Sequence, residues 1–139
     1  VDFILNLKNY EIINAVTAIK ELIKIKDMET KTKWNFIKNL NNLQRIVDDF
    51  SKLEIEMVNE FALKDESGNI RIYEEDEGNF RKGDPKFAPV KHKEFITKRD
   101  ELLQCESEID IHKIKLDDLP KIEDGTALLL CSFLIDDSE

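Results

Sequence analysis

Apolar residues alternate at strand-like spacing near the start of the chain and again over 109–116, with helical patterns between and after these stretches. Phe3, Leu5 and Leu7 alternate with polar neighbours, the period of a short edge strand. Asn9 offers a side-chain acceptor for the amides of the following turn, as an N-cap does. Ile12, Val16, Ile19 and Ile23 then follow at spacings of four, three and four, with Ile13 and Leu22 beside them, which predicts a helix over about 10–26. "KDMETK" breaks it, and Thr30 or Thr32 is placed to cap a second helix. Trp34, Ile37, Leu40, Leu43, Val47, Phe50, Leu53, Met57 and Phe61 are separated by threes and fours, close to a heptad period. A helix over 32–62 would be ~45 Å long. The first helix covers about half of that length. The far half, Phe50 to Phe61, therefore calls for cover from a later helix or another subunit.

"KDESGN" ends the second helix with a glycine-asparagine turn. Residues 71–90 carry no periodic stripe and read as a loop or small hairpin that folding does not need. Pro89 suits the first turn of a third helix over roughly 89–105, with Phe95, Ile96, Leu102 and Leu103 as its stripe. Ile109 and Ile111 alternate, as do Ile114 and Leu116, but the two pairs are out of phase by one residue. His112-Lys113 is thus expected to be a bulge or bend. Leu119 and Ile122 anchor the next loop, where Pro120 bars a helix. Asp124 is placed to cap a last helix, "GTALLLCSFLI", which is apolar nearly all round and so expected to be buried. The predicted fold is mainly α with a minor β component, in a single domain over 1–139. It comprises a long antiparallel helical hairpin (10–62), a loop or hairpin (63–88), a third helix (89–105), and a small β element with a buried terminal helix (106–139).

Charge adds an asymmetry. The chain has 139 residues, a formal charge of −9 and 37% charged side chains, which suits one soluble domain and argues against a general nucleic-acid binder. Residues 1–46 hold 8 basic and 5 acidic groups, whereas residues 47–139 hold 13 basic and 25 acidic ones. "VDFILNLKNYE" lacks the basic start and small-residue cleavage site of a secretory leader. No apolar run approaches the ~20 residues that span a bilayer. Two cysteines, Cys105 and Cys131, make no disulfide framework and suit a reducing cytoplasm.

The order of these elements resembles a family of small proteins encoded by phages and prophages of low-GC Gram-positive bacteria. The pieces that carry the likeness are "AVTAIKELI", "FALKDESGNI", "LLQCESEIDIHKIKLDDLPKI" and "ALLLCSFLIDD", in order along nearly the whole chain apart from 71–90. Where relatives begin the last helix with Ser-Pro, this chain has "EDGT". The resemblance implies a viral or prophage gene acting in the bacterial host cytoplasm, or in the virion, and brings no catalytic residue with it.

Candidate chemistry is sparse. "DESGNIRIYEED" has an acidic calcium-loop look, but from Asp65 the glycine falls fourth and not sixth, so a solvated turn is expected. His92, Cys105, His112 and Cys131 lie outside zinc-site spacings. No nucleophile elbow, phosphate-cradling glycine loop or His-Glu helix motif is present, so neither an enzyme nor a cofactor is expected. Lys20, Lys24, Lys26, Lys31, Lys33 and Lys38 cluster around Trp34. Asp27 and Glu29 dilute them, however, and Trp34 falls on the predicted core stripe, so a solvated helix tip is expected and not a nucleic-acid site. Asp48, Asp49, Glu54, Glu56 and Glu60, with Glu74, Glu75, Asp76 and Glu77, are candidates for a negative binding face. These observations lead to the expectation of a non-enzymatic accessory protein that binds a host or phage protein, such as a host defence factor it inhibits. A virion or morphogenesis component that oligomerises through the second helix is the alternative, and a nucleic-acid binder is the outside reading.

Overall fold

The computed structural model describes residues 2–123 and 125–137, so the expected Asp124 cap lies outside the described residues. The fold is mainly α with a minor β component. Its elements, in chain order, are β1 (Asp2–Lys8), α1 (Asn9–Leu22), α2 (Thr30–Phe61), α3 (Pro89–Gln104), β2 (Glu106–His112), β3 (Ile114–Lys115), α4 (Thr126–Leu130) and β4 (Ile135–Asp136). Short 3-10 turns occupy Leu116–Asp118 and Ser132–Leu134. The chain forms two compact units, one of Val1–Asp49 with Leu103–Glu139 and one of Phe50–Leu102.

In the first unit β1 and β2 form an antiparallel pair, with Leu5 opposite Ile109 and Phe3 opposite Ile111. Alternation sends Leu7, Ile109 and Ile111 inward and leaves Ile4, Glu108 and Asp110 exposed. The backbone N–H of Asn9 continues the pairing by donating to Cys105 O at 2.9 Å. Asn9 is accordingly the first residue of α1 and not its N-cap, and its buried Oδ1 accepts the Ser107 hydroxyl at 3.1 Å. The Lys8 N–H finds the Glu11 carboxylate instead, at 3.1 Å. α1 lays Ile12, Ala15, Val16, Ala18, Ile19 and Leu22 into the core and stops a turn earlier than expected.

The buried line of α2 in this unit differs from the predicted one. It runs Thr32, Phe36, Asn39, Leu43, while Trp34 is 56% exposed and not in the core. The physical reason is the edge of β2. Asp110 and His112 turn backbone groups away from β1, and α2 meets them with amides. Asn39 donates through Nδ2 to His112 O (2.8 Å) and accepts from His112 N–H through Oδ1 (2.7 Å). Asn42 donates to Asp110 O at 3.0 Å. The Thr32 hydroxyl donates to Asp118 O at 3.4 Å instead of capping the helix. Polar side chains with a backbone edge to satisfy therefore turn inward, and the indole turns out.

The bend expected at His112-Lys113 separates two sheets. After it, Ile114 pairs in parallel with Ile135, forming the β3–β4 sheet, and Lys113 Nζ donates to Phe133 O at 2.7 Å. The terminal segment corrects the expectation of a long buried helix. α4 has five residues, none of them buried, and the chain leaves helical geometry at Cys131 (φ −125°, ψ 27°). That break points both Cys131 and Leu134 into the core, whereas Leu129 (76% exposed) and Leu130 (42%) face outward. A continuous helix with apolar residues on every side would need cover all round. Leu119 and Ile122 pack against the core as expected.

In the second unit α3 covers the far half of α2. Phe50, Met57 and Phe61 are buried. Arg99 pairs with Glu54 and lies 6.0 Å from the Phe50 ring, while Lys91 and Lys98 lie 5.8 and 5.7 Å from the Phe61 ring. Cations on long stems shield those ring faces while their charges stay in water. α3 itself buries no residue completely; Phe95 and Leu102 are half-buried and Ile96 is exposed.

Residues 63–86 are not a free loop. Arg71 N–H donates to Leu63 O, Lys86 N–H to Arg71 O, Leu63 N–H to Lys86 O and Tyr73 N–H to Asp84 O, all at 2.8–2.9 Å. Tyr73 stacks on Phe80 at 4.7 Å, and Phe80, His92, Phe87 and Phe95 continue the series at 5.9, 5.3 and 5.0 Å. Tyr73 and Phe80 thus take part in the packing of this unit, a contact that the absence of a periodic stripe over 71–90 did not lead one to expect. The glycine-asparagine turn is built as its residues require. Gly68 has φ 86°, a left-handed conformation open to glycine, and Asp65 Oδ1 accepts the N–H groups of Ser67 and Asn69 at 2.9 and 3.0 Å.

Candidate interaction surfaces

The candidate acids fall into separate groups. Asp48 and Asp49 are exposed in the first unit, where Asp48 accepts Gln44 Nε2 at 3.0 Å. In the second unit Glu54 is half-buried and engaged by Arg99, so it is not part of an open face. Glu56 and Glu60, four apart, are exposed on one side of α2 and have no ion pair among the described residues. A helix advances ~100° per residue, so positions two apart, such as Glu54 and Glu56, point in nearly opposite directions.

The run Glu74–Glu77 sits at a hairpin tip. Glu77 and Phe80 exchange two backbone hydrogen bonds of 2.9 Å. The Asp76 carboxylate accepts Lys82 N–H at 2.9 Å and lies 3.6 Å from Arg81. Glu74 and Glu75 are exposed without such partners. The Glu77 carboxylate is likewise exposed, so the tip presents three open carboxylates, Glu74, Glu75 and Glu77, next to the Tyr73–Phe80 stack.

The first unit has two further surfaces. One is the exposed side of α2 around Trp34, with Lys31, Lys33 and Lys38. The other is a shallow apolar depression of about 410 Å³ lined by Leu116, Leu128, Leu129 and Ile135. Both rest on departures from the predicted pattern. The absence of acids between Glu29 and Asp48 was a readable signal of the first, but no feature of the sequence announced the second.

The titratable groups show little chemistry. Burial pushes the Cys131 thiol up to about 11, and Sγ donates to Ala127 O at 3.3 Å, so at neutral pH it is a protonated packing group. His92 is held among Phe80 and Phe87. Among the described residues no three His, Cys, Asp or Glu side chains gather as a metal-ligand set. No described helix is long and apolar enough to cross a membrane. Compared with protein-family models, curated proteins and solved structures, the chain matches none.

Proposed function

We propose that this chain is a non-enzymatic accessory protein that acts by binding another protein through the acidic surface of its second unit. The observation that carries this reading is a set of open carboxylates that includes Glu56 and Glu60 on α2 and Glu74 and Glu75 at the hairpin tip. In the setting the family resemblance implies, a phage or prophage gene expressed in a bacterial cytoplasm, the partner is a host protein with a basic groove, such as a defence factor that the chain inhibits. Charge of this kind steers encounter and fixes register more than it adds affinity.

The test compares wild type with E56K/E60K/E74K/E75K in pull-downs from host lysate over a salt series. Glu54 is left intact because it holds Arg99. The expected result is a protein retained by wild type at low salt, released as the Debye length shrinks below ~8 Å, and lost from the charge-reversed variant at unchanged melting temperature. Equal retention by both proteins would exclude this surface.

A homo-oligomer is the second reading, of the kind a virion or morphogenesis component would form. Its expected seam on the second helix is reduced, because Phe50, Met57 and Phe61 are buried within the chain and leave only Leu53 and Ile55 exposed there. The exposed Leu129 and Leu130 favour the terminal segment as the contact instead. Light scattering that stays at 16.3 kDa across a concentration series removes this reading.

A further inference from the structure

We propose that the exposed side of α2 between Lys31 and Arg45 binds single-stranded nucleic acid, with Trp34 stacking on a base and Lys31 and Lys38 taking the flanking phosphates. The surface belongs to the first unit and goes beyond the protein contact proposed for the second.

Lys31, Trp34, Lys38, Asn41 and Arg45 follow one another at spacings of three and four, so they share one side of the helix. The buried residues Thr32, Phe36, Asn39 and Leu43 occupy the other side. The orientation is therefore set from within: the amide of Asn39 is tied to both backbone groups of His112, and Trp34 follows outward. From Lys31 to Arg45 the stripe is ~21 Å long, enough for a few nucleotides of extended chain.

Two independent features make this side unlike the rest of the molecule. The chain carries 30 acids and 21 bases, yet residues 30–47 hold four cations and no carboxylate. The chain's one tryptophan stands among them, more than half exposed. Cations that track a backbone and an aromatic platform that accepts any base are the two parts a single-strand site needs. Lys26, exposed in the connection before α2, and Lys33 extend the positive field. Acids bound it on both sides. Asp27 and Glu29 precede it and Asp48 and Asp49 follow, while Glu108 and Asp110 line the same shallow depression as Arg45. The phosphate contacts therefore concentrate on Lys31 and Lys38, with Arg45 the weaker third. Trp34 no longer counts against the site, because it is not in the core.

Because Trp34 is the only tryptophan, its fluorescence reports on the site itself. The experiment titrates the full chain with dT12, U12, a 12-base-pair duplex and a poly-glutamate peptide at low salt, and repeats the oligonucleotide titrations over a salt series. The expected result is quenching by dT12 or U12, the tighter of the two assigning DNA or RNA, with little quenching by duplex, whose bases are already stacked. Three phosphate contacts predict a log–log salt slope of about −2, falling to about −0.7 in K31A/K38A. W34A, followed with a labelled oligonucleotide, should bind about ten-fold more weakly at unchanged melting temperature. No single-strand binding at low salt, unchanged affinity in W34A, or equal binding of the poly-glutamate peptide would each overturn the proposal, the last by showing that the cations simply attract acidic protein.

Discussion

The two units bury their side chains in different ways. In the first, aliphatic residues of several elements leave water completely: Ile12, Ala15, Ile19, Leu43, Ile111 and Leu134 are fully buried, together with the ring of Phe36. Its polar interior groups are answered one for one, as Asn39 answers His112. In the second, rings from Tyr73 to Phe95 contact one another in a series, Lys86 lies over Tyr73, Lys91 and Lys98 over Phe61 and Arg99 over Phe50, and α3 buries nothing completely. Apolar burial stabilises in proportion to area removed from water, about 25 cal/mol per Å². A partly exposed ring pair contributes ~0.5–1.5 kcal/mol, and an exposed cation over a ring ~0.5–1 kcal/mol. The comparison teaches that the first unit should be the stable scaffold and the second the part that opens first.

Three substitutions probe that contrast, the most damaging first. Asn39→Ala removes the partner of two backbone groups at a buried strand edge, each costing ~1–3 kcal/mol when left unmet. A loss of about 3 kcal/mol in urea denaturation is expected, and a loss below ~1 kcal/mol would mean that water shields the β2 edge as well as α2 does. Phe80→Ala removes the ring between Tyr73 and His92 in the series. It should cost ~1–2 kcal/mol and act locally. Hydrogen exchange should accelerate at the amides of Arg71, Tyr73 and Lys86, while Ile109 and Ile111 stay protected. Equal acceleration in both sets would show the units to be one cooperative body. Leu129→Ala should change stability by no more than ~0.5 kcal/mol, because its side chain already lies in water. A drop of several degrees in melting temperature would instead restore the expected buried terminal helix.

The elements themselves were legible from periodicity. Residues such as Ile12, Val16, Ile19, Leu43, Phe50 and Met57 repeat at the helical period, and Ile109 and Ile111 at the strand period, because an element of regular geometry can bury only one stripe. Pro89 and the KDESGN turn marked their boundaries for equally local reasons, a fixed φ and a glycine open to positive φ. The phase shift around His112 was legible as a break, though not as a handover between sheets.

What needed the tertiary structure was every choice made against a neighbour. Hydrophobicity assigned Trp34 to the core stripe and gave no reason to bury Asn39. The strand edge at Asp110 and His112, more than sixty residues away in sequence, decided both. The reach of Arg99 to Glu54 took one carboxylate out of the predicted acidic face, and Phe80 found Tyr73 across a turn rich in acids. The terminal segment was read as one helix because eleven residues there are nearly all apolar. Which of them would be buried depended on Ile114 offering a strand to Ile135, a contact that composition cannot contain. Local pattern determines which conformations a segment favours. Its orientation depends on the unmet hydrogen bonds and open apolar surface of other segments, which exist only once the chain has folded.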